Sequence, residues 1–107
     1  MKKRVLFICS QNKFRSATAH EIFRHSETLE VDSAGTESDA HVRVEPDHIL
    51  WADVIYVMED RHVRRLKAMF GALLKDKRVI NLHIPDIYEY MDAGLIETLR
   101  KKLRGLE

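Results

Sequence analysis

The segment from Cys9 to Ser16 has the residue types and spacing of a reaction centre for phosphoryl chemistry. Five residues separate Cys9 from Arg15. A cysteine thiolate is a strong nucleophile, and a guanidinium is a planar fork that can bind two oxygens of a phosphoryl group. A loop of this length between a strand and a helix can turn its backbone N–H groups toward one anion, next to the positive end of the helix. We therefore predict a phosphate-binding loop formed by Ser10, Gln11, Asn12, Lys13, Phe14, Arg15 and Ser16.

Two residues of this loop have additional predicted roles. Asn12 tolerates the left-handed backbone conformation that a tight anion loop often needs. Ser16 could donate a hydrogen bond to the thiolate of Cys9, which would also help the sulfur to leave in a second step. The simpler interpretation of Cys9 is an inert thiol at the end of a buried strand. Because short motifs match by chance, the loop alone leaves both interpretations open.

The elements around this loop alternate between strands and helices. Apolar runs predict strands at residues 5–8, 30–33, 53–58 and 78–82, and helical patterns cover 16–25, 46–51, 60–74 and 93–103. This alternation predicts an α/β fold, a single-domain three-layer sandwich of the flavodoxin or Rossmann-like type. Its four-stranded, mostly parallel sheet should have the order 2-1-3-4 and be flanked by helices. Ligands bind such sheets at the carboxyl ends of the strands, which is where Cys9 follows the first strand.

Composition restricts the classes of protein and partner. The 107 residues suit one domain, residues 1–107, and 45% apolar with 33% charged residues is typical of a globular protein. A net charge of +1 is too small to attract nucleic acid or a membrane electrostatically, so neither is an expected partner. The single cysteine excludes an internal disulfide and favours a reducing, cytoplasmic compartment. The six histidines lack metal-site spacing, so we expect no metal and no cofactor.

Three further segments follow the loop in the chain. They are Asp-Ser-Ala-Gly-Thr at 32–36, Trp-Ala-Asp-Val-Ile-Tyr-Val-Met at 51–58 and Ile-Pro-Asp-Ile-Tyr at 84–88. With Cys-X5-Arg-Ser at 9–16, these segments make the chain similar to the low-molecular-weight protein tyrosine phosphatases. The four matches occur in the order of that family and cover nearly the whole chain, which resembles a short branch of it.

The resemblance implies a mechanism. Cys9 attacks phosphorus and forms a phosphocysteine, while Arg15 and the loop amides hold the equatorial oxygens. Asp86 protonates the leaving group and then activates water. Since Ile87 replaces the family's proline after this aspartate, Asp92 is the alternative acid. The resemblance also gives supporting roles to Ser33 and His41. Tyr88 and Tyr90 could line the mouth of the site, or Tyr88 could instead pack its loop against the body of the protein.

Two departures from the family pattern lie within the loop. Gln11 replaces the usual glycine, so the tight path of the loop depends on Asn12. Phe14 replaces a frequent second cysteine, so oxidised Cys9 would have no local thiol partner.

The expected substrate is a phosphotyrosine-containing protein or a small aryl phosphate, with inorganic phosphate as product. Phosphoarginine remains open as a substrate. The alternatives are an arsenate reductase-like enzyme, which would need an external thiol, and a non-catalytic phosphate- or phosphopeptide-binding protein on the same scaffold.

Overall fold

Strands and helices alternate in a computed structural model that describes residues 1–107. The strands are β1 (Lys3–Cys9), β2 (Leu29–Gly35), β3 (Val54–Val57) and β4 (Arg78–Asn81). The helices are α1 (Arg15–Phe23), α2 (Pro46–Trp51), α3 (Asp60–Phe70) and α4 (Ala93–Lys102), with a 3₁₀ turn at Gly71–Leu74. Every predicted element is present. The predicted bounds were wrong for β1, which begins two residues earlier and ends one later, and for β2, which begins one residue earlier and ends two later. Two helices also end two or more residues earlier than predicted, α1 at Phe23 and α3 at Phe70.

The end of α3 has a local cause. Gly71 has a φ of +39°, a backbone angle that residues with a side chain rarely adopt, and it interrupts the α-helical path. None of the helices has the length and apolar character needed to cross a membrane.

The four strands form one sheet of order β2-β1-β3-β4, as predicted, and all neighbouring pairs are parallel. Cys9 pairs with Gly35 at the last position of the β1–β2 register. The segments that follow β1, β2, β3 and β4 therefore leave the same edge of the sheet. This edge brings the loop after Cys9 next to residues that are distant in sequence.

Both faces of the sheet are covered. The side chains of Val5, Phe7 and Cys9 belong to a core cluster that includes residues of α1 and α4. Leu6 and Ile8 belong to a second cluster with residues of α2 and α3. Because successive side chains of a strand point to opposite faces, this division of β1 confirms the three-layer sandwich.

Candidate active site

The predicted phosphate-binding loop, residues 10–16, turns its carbonyl groups toward the segment that follows β2. The carbonyl oxygens of Cys9, Ser10 and Gln11 accept hydrogen bonds of 3.0, 3.0 and 2.9 Å from the amides of residues 36, 37 and 41. The amides of residues 10–16 donate to no acceptor of the chain. Asn12 has a φ of +56°, the left-handed conformation expected for it. Such a run of unpaired N–H groups around one turn can bind an anion.

Gly35 allows β2 to lie directly against this loop. A Cβ atom at Gly35 would stand 2.5 Å from the carbonyl oxygen of Ser10 and 3.0 Å from the amide nitrogen of Asn12. It would also stand 2.7 Å from the Cβ of Ala40. Any side chain at this position would therefore displace the backbone that forms the loop.

The sulfur of Cys9 lies 3.0 Å from the hydroxyl of Ser16. The side-chain amide of Asn12 donates to the same hydroxyl at 2.8 Å. Since Asn12 occupies an acceptor position of the Ser16 oxygen, the proton of Ser16 is free to point at the sulfur. A hydroxyl donor aimed at the sulfur would stabilise it as a leaving group.

Arg15 is the first residue of α1, and its side chain is only 2% exposed. Its Nη1 donates to Glu59 Oε2 at 2.6 Å and to the carbonyl oxygen of Ile84 at 2.8 Å. The Nε atom lies 3.7 Å from Asp86 Oδ1, and neither Nε nor Nη2 makes a hydrogen bond within the chain. One edge of the guanidinium is thus held in place, and the other can receive two oxygens of a ligand.

Glu59 links this arginine to a second one. Arg61 donates to Glu59 Oε2 from Nε at 3.1 Å and from Nη2 at 2.9 Å. Burial acts to raise the pKa of Glu59, but the hydrogen bonds from Arg15 and Arg61 outweigh it and hold the pKa below its usual value. The carboxylate is therefore ionised and compensates the charge buried at Arg15.

A buried histidine lies beside the loop. His62 is 1% exposed, and its Nε2 lies 2.9 Å from the hydroxyl of Ser10. The amide of Glu59 donates to its Nδ1 at 3.1 Å. Burial, together with the positive charges of Arg15 and Arg61, lowers the pKa of His62 from 6.5 to about 4. The ring is therefore neutral near pH 7.

A cavity of about 290 Å³ opens at this loop. Cys9, Ser10, Arg15 and Asp86 all line it, and so does Phe14. The cavity therefore places a sulfur atom, a guanidinium and a carboxyl group around one space.

Solved structures share this fold over almost the whole chain, whereas no protein-family model and no curated protein sequence matches it. The low-molecular-weight protein tyrosine phosphatase SP-PTP from Streptococcus pyogenes aligns with a TM-score of 0.71 and 18% identity, over 94% of this chain and 85% of that one. The tyrosine phosphatase Wzb from Escherichia coli K30, in complex with sulphate, aligns with a TM-score of 0.72 and 15% identity, over 95% of this chain and 94% of that one. The YwlE arginine phosphatase from Geobacillus stearothermophilus aligns with a TM-score of 0.62 and 22% identity, over 94% of this chain and 82% of that one.

The chain has the fold of the low-molecular-weight protein tyrosine phosphatases. The similarity noticed in the sequence is therefore confirmed at the level of the fold. What the chain binds or hydrolyses is a separate question, which depends on the cavity itself.

Of the two candidate acids, only Asp86 lines the cavity of this phosphatase-like fold. Asp92 is the N-cap of α4, and its carboxylate accepts hydrogen bonds from the amides of Gly94 and Leu95 at 2.7 and 3.2 Å. A carboxylate already engaged by two amides is a poor candidate for proton transfer elsewhere, so the geometry favours Asp86.

Four residues expected near the site lie outside the cavity: Tyr88, Tyr90, Ser33 and His41. Tyr88 is half-buried and packs against the core cluster on the α4 side of the sheet. Tyr90 lines a separate groove next to α1, and the aromatic ring at the cavity is that of Phe14. Neither tyrosine lines this cavity, and Tyr88 takes the alternative arrangement, in which it packs against the body of the protein.

The supporting pair is also arranged differently. Ser33 is buried, but its hydroxyl pairs with His20 Nδ1 at 2.8 Å rather than with the Cys9–Asn12–Ser16 network. The imidazole of His41 is exposed, and only its backbone amide reaches the loop, at Gln11. The histidine beside the loop is His62, which sequence reasoning missed.

Proposed function

We propose that the chain is a cysteine-dependent phosphomonoesterase that acts through a phosphocysteine intermediate. The Cys9 thiolate attacks phosphorus in line with the departing oxygen, forming an S–P bond as the P–O bond breaks. Asp86, in its acid form, gives its proton to the departing oxygen. The resulting carboxylate then takes a proton from water, whose oxygen attacks phosphorus and releases inorganic phosphate and the thiolate.

One observation supports this proposal above the others: the sulfur of Cys9 lines a cavity bordered by unpaired backbone amides and by the free edge of Arg15. Charge on the equatorial oxygens of a phosphoryl group would meet fixed donors there. Donors that need no rearrangement are the largest source of transition-state stabilisation in reactions of this type. An inert structural thiol would not require this surrounding.

The proposed substrate is an aryl phosphate, and phosphotyrosine in a protein is the natural example. The ring of Phe14 at the cavity is 40% exposed and could pack against the substrate ring.

Phosphoarginine is a second candidate because of the charges at the same cavity. The carboxylates of Glu37 and Asp86 both line it, and a phosphorylated guanidine would offer N–H donors to them. The test is a comparison of kcat/KM on matched phosphotyrosine and phosphoarginine peptides. A preference for phosphoarginine that disappears in Glu37→Gln would support this candidate.

The main test is hydrolysis of p-nitrophenyl phosphate in the presence of a metal chelator. Wild type should turn over, and Cys9→Ser and Arg15→Ala should each lose at least about 1000-fold in kcat. Asp86→Asn should slow hydrolysis most for poor leaving groups. Arg24→Ala is the matched control for Arg15, since its guanidinium makes an exposed pair with Glu21 on the same helix.

Each alternative function predicts a different outcome of that test. A non-catalytic phosphate-binding protein would bind inorganic phosphate but hydrolyse nothing. An arsenate reductase-like enzyme would need an added thiol, since the chain has a single cysteine. Full activity of Cys9→Ser would exclude the phosphocysteine mechanism altogether.

A further inference from the structure

The two hydrogen bonds of the His62 ring determine which of its nitrogens carries the proton. The amide of Glu59 donates to His62 Nδ1 at 3.1 Å, so that nitrogen must be unprotonated. The proton of the neutral ring then sits on Nε2, which lies 2.9 Å from the oxygen of Ser10. His62 is therefore the donor in this hydrogen bond, and Ser10 is the acceptor.

The proton of Ser10 is consequently available for a ligand. Its hydroxyl makes no hydrogen bond within the chain other than the one from His62, and Ser10 lines the cavity. Ser16 provides a parallel case: its oxygen accepts from Asn12 and its proton is left for the sulfur of Cys9. The two hydroxyls, one at each end of the loop, are each oriented by a fixed donor.

We propose that Ser10 donates a hydrogen bond to an oxygen of the bound phosphoryl group, and that His62 is the positioning residue that aims this hydroxyl. This inference rests on the proposed function and adds a side-chain donor to the backbone amides and Arg15. Because this hydroxyl is already oriented, less rotational entropy is lost when it binds a ligand than for a freely rotating serine.

A second histidine separates this role from a purely structural one. At the start of α2, the amide of Glu45 donates to His48 Nδ1 at 2.9 Å, the same capping contact that His62 makes at the start of α3. Stabilising the helix start needs only Nδ1. The Nε2 contact with a cavity-lining hydroxyl is made by His62 alone.

Two substitutions of His62 each retain one of its two hydrogen bonds and remove the other. In His62→Asn, the side-chain oxygen can replace Nδ1 as the acceptor for the Glu59 amide, but nothing reaches Ser10. In His62→Gln, the longer amide can place an N–H near the position of Nε2 and donate to Ser10. A structural role predicts that asparagine is the better replacement, whereas a positioning role predicts that glutamine is.

The measurement is the Kd for inorganic phosphate by calorimetry, together with kcat/KM on p-nitrophenyl phosphate. Ser10→Ala should weaken phosphate binding about ten-fold, as expected for a hydrogen bond to a charged group. His62→Asn should weaken it about three-fold, and His62→Gln should recover most of that loss. In the Ser10→Ala background, His62→Asn should have no further effect on the Kd, because the hydroxyl that it orients is absent.

The control is His48→Asn, which alters the equivalent cap away from the cavity and should leave the Kd unchanged. Unaltered phosphate binding in Ser10→Ala would overturn this inference but leave the phosphatase proposal standing. Additive effects of Ser10→Ala and His62→Asn would also overturn it. A wild-type chain that binds phosphate but has no hydrolytic activity would refute the phosphatase proposal, while the binding data would still test the Ser10 contact.

Discussion

The substitution Gly35→Ala adds one methyl group at the closest approach between β2 and the phosphate-binding loop. That methyl would stand 2.5 Å from the carbonyl oxygen of Ser10 and 2.7 Å from the Cβ of Ala40. Ordinary contact requires roughly 1 Å more. Since the Ser10 carbonyl also accepts from the amide of Glu37 at 3.0 Å, the backbone cannot yield without losing a hydrogen bond.

The expected magnitude follows from this geometry. Overpacking of this kind costs about 1–3 kcal/mol of unfolding free energy. In a domain of this size each kcal/mol lowers the melting temperature by about 4–8 °C. A displacement of roughly 1 Å at the loop should also reduce kcat/KM by about 100-fold, because the donors no longer match the phosphoryl oxygens.

Thermal unfolding and hydrolysis of p-nitrophenyl phosphate would be measured on the same samples. Gly94→Ala is the matched control: its methyl would lie 3.0 Å from a carboxylate oxygen of Asp92 and 3.4 Å from the ring of Tyr88, inside α4 and away from the cavity. Its melting temperature should change little and its activity should be preserved. Unchanged stability and full activity in Gly35→Ala would refute the claim that this close approach shapes the loop.

Three further predictions concern charge and capping. Because the pKa of His62 is lowered from 6.5 to about 4, the unfolded chain binds a proton between these values that the folded chain does not. Unfolding free energy, measured in urea, should therefore fall by ~2 kcal/mol from about pH 7 to about pH 5 through this group; His62→Asn should remove that loss and His48→Asn should keep it. Glu59→Gln removes the nearer of the two carboxylates that pair with the buried Arg15 guanidinium, leaving only Asp86 at 3.7 Å, and should lose ~2 kcal/mol. The exposed pair in Glu21→Gln should lose less than ~0.5 kcal/mol. Asp92→Ala removes the cap of α4 and should lower the unfolding free energy by ~1 kcal/mol. Its hydrolysis rates on a series of aryl phosphates should depend on the leaving group as those of the wild type do. A changed dependence would assign the acid role to Asp92.

Most of the fold could be predicted from the sequence because its signals are local. The buried run from Val5 to Ile8 is apolar on both faces of the sheet, so it identifies a central strand. The extent of β2 was underestimated at its end because the pair Ala34-Gly35 ends in glycine, a residue type that suits a turn. The backbone of both residues nevertheless pairs with Ile8 and Cys9 in the β1–β2 register.

The chemistry of the loop was predictable for the same reason, whereas its surroundings were not. The spacing of Cys9 and Arg15 is a property of seven consecutive residues. The contacts of Arg15 with Glu59, and of Ser10 with His62, join residues 44 and 52 positions apart. They exist because β1 and β3 are neighbours in the sheet, so the start of α3 lies beside the loop.

The path of the chain around Asp86 also escaped prediction. His83 and Met91 have φ values of +54° and +60°. Histidine is enriched at such angles but methionine is not, and neither residue marks a left-handed turn as clearly as glycine does. These turns direct Tyr88 toward the core and Tyr90 toward another groove, so the expected aromatic mouth does not form.

Turnover through a phosphocysteine requires that the sulfur of Cys9 becomes covalently phosphorylated. Asp86→Asn, which should slow hydrolysis of the intermediate, would be mixed with p-nitrophenyl phosphate, quenched within one turnover and analysed by mass spectrometry of the intact chain and its peptides. We predict one added phosphoryl group, located on Cys9 and absent from Cys9→Ala. Steady hydrolysis by Cys9→Ala, or a phosphoryl group on another residue, would rule out a phosphocysteine intermediate.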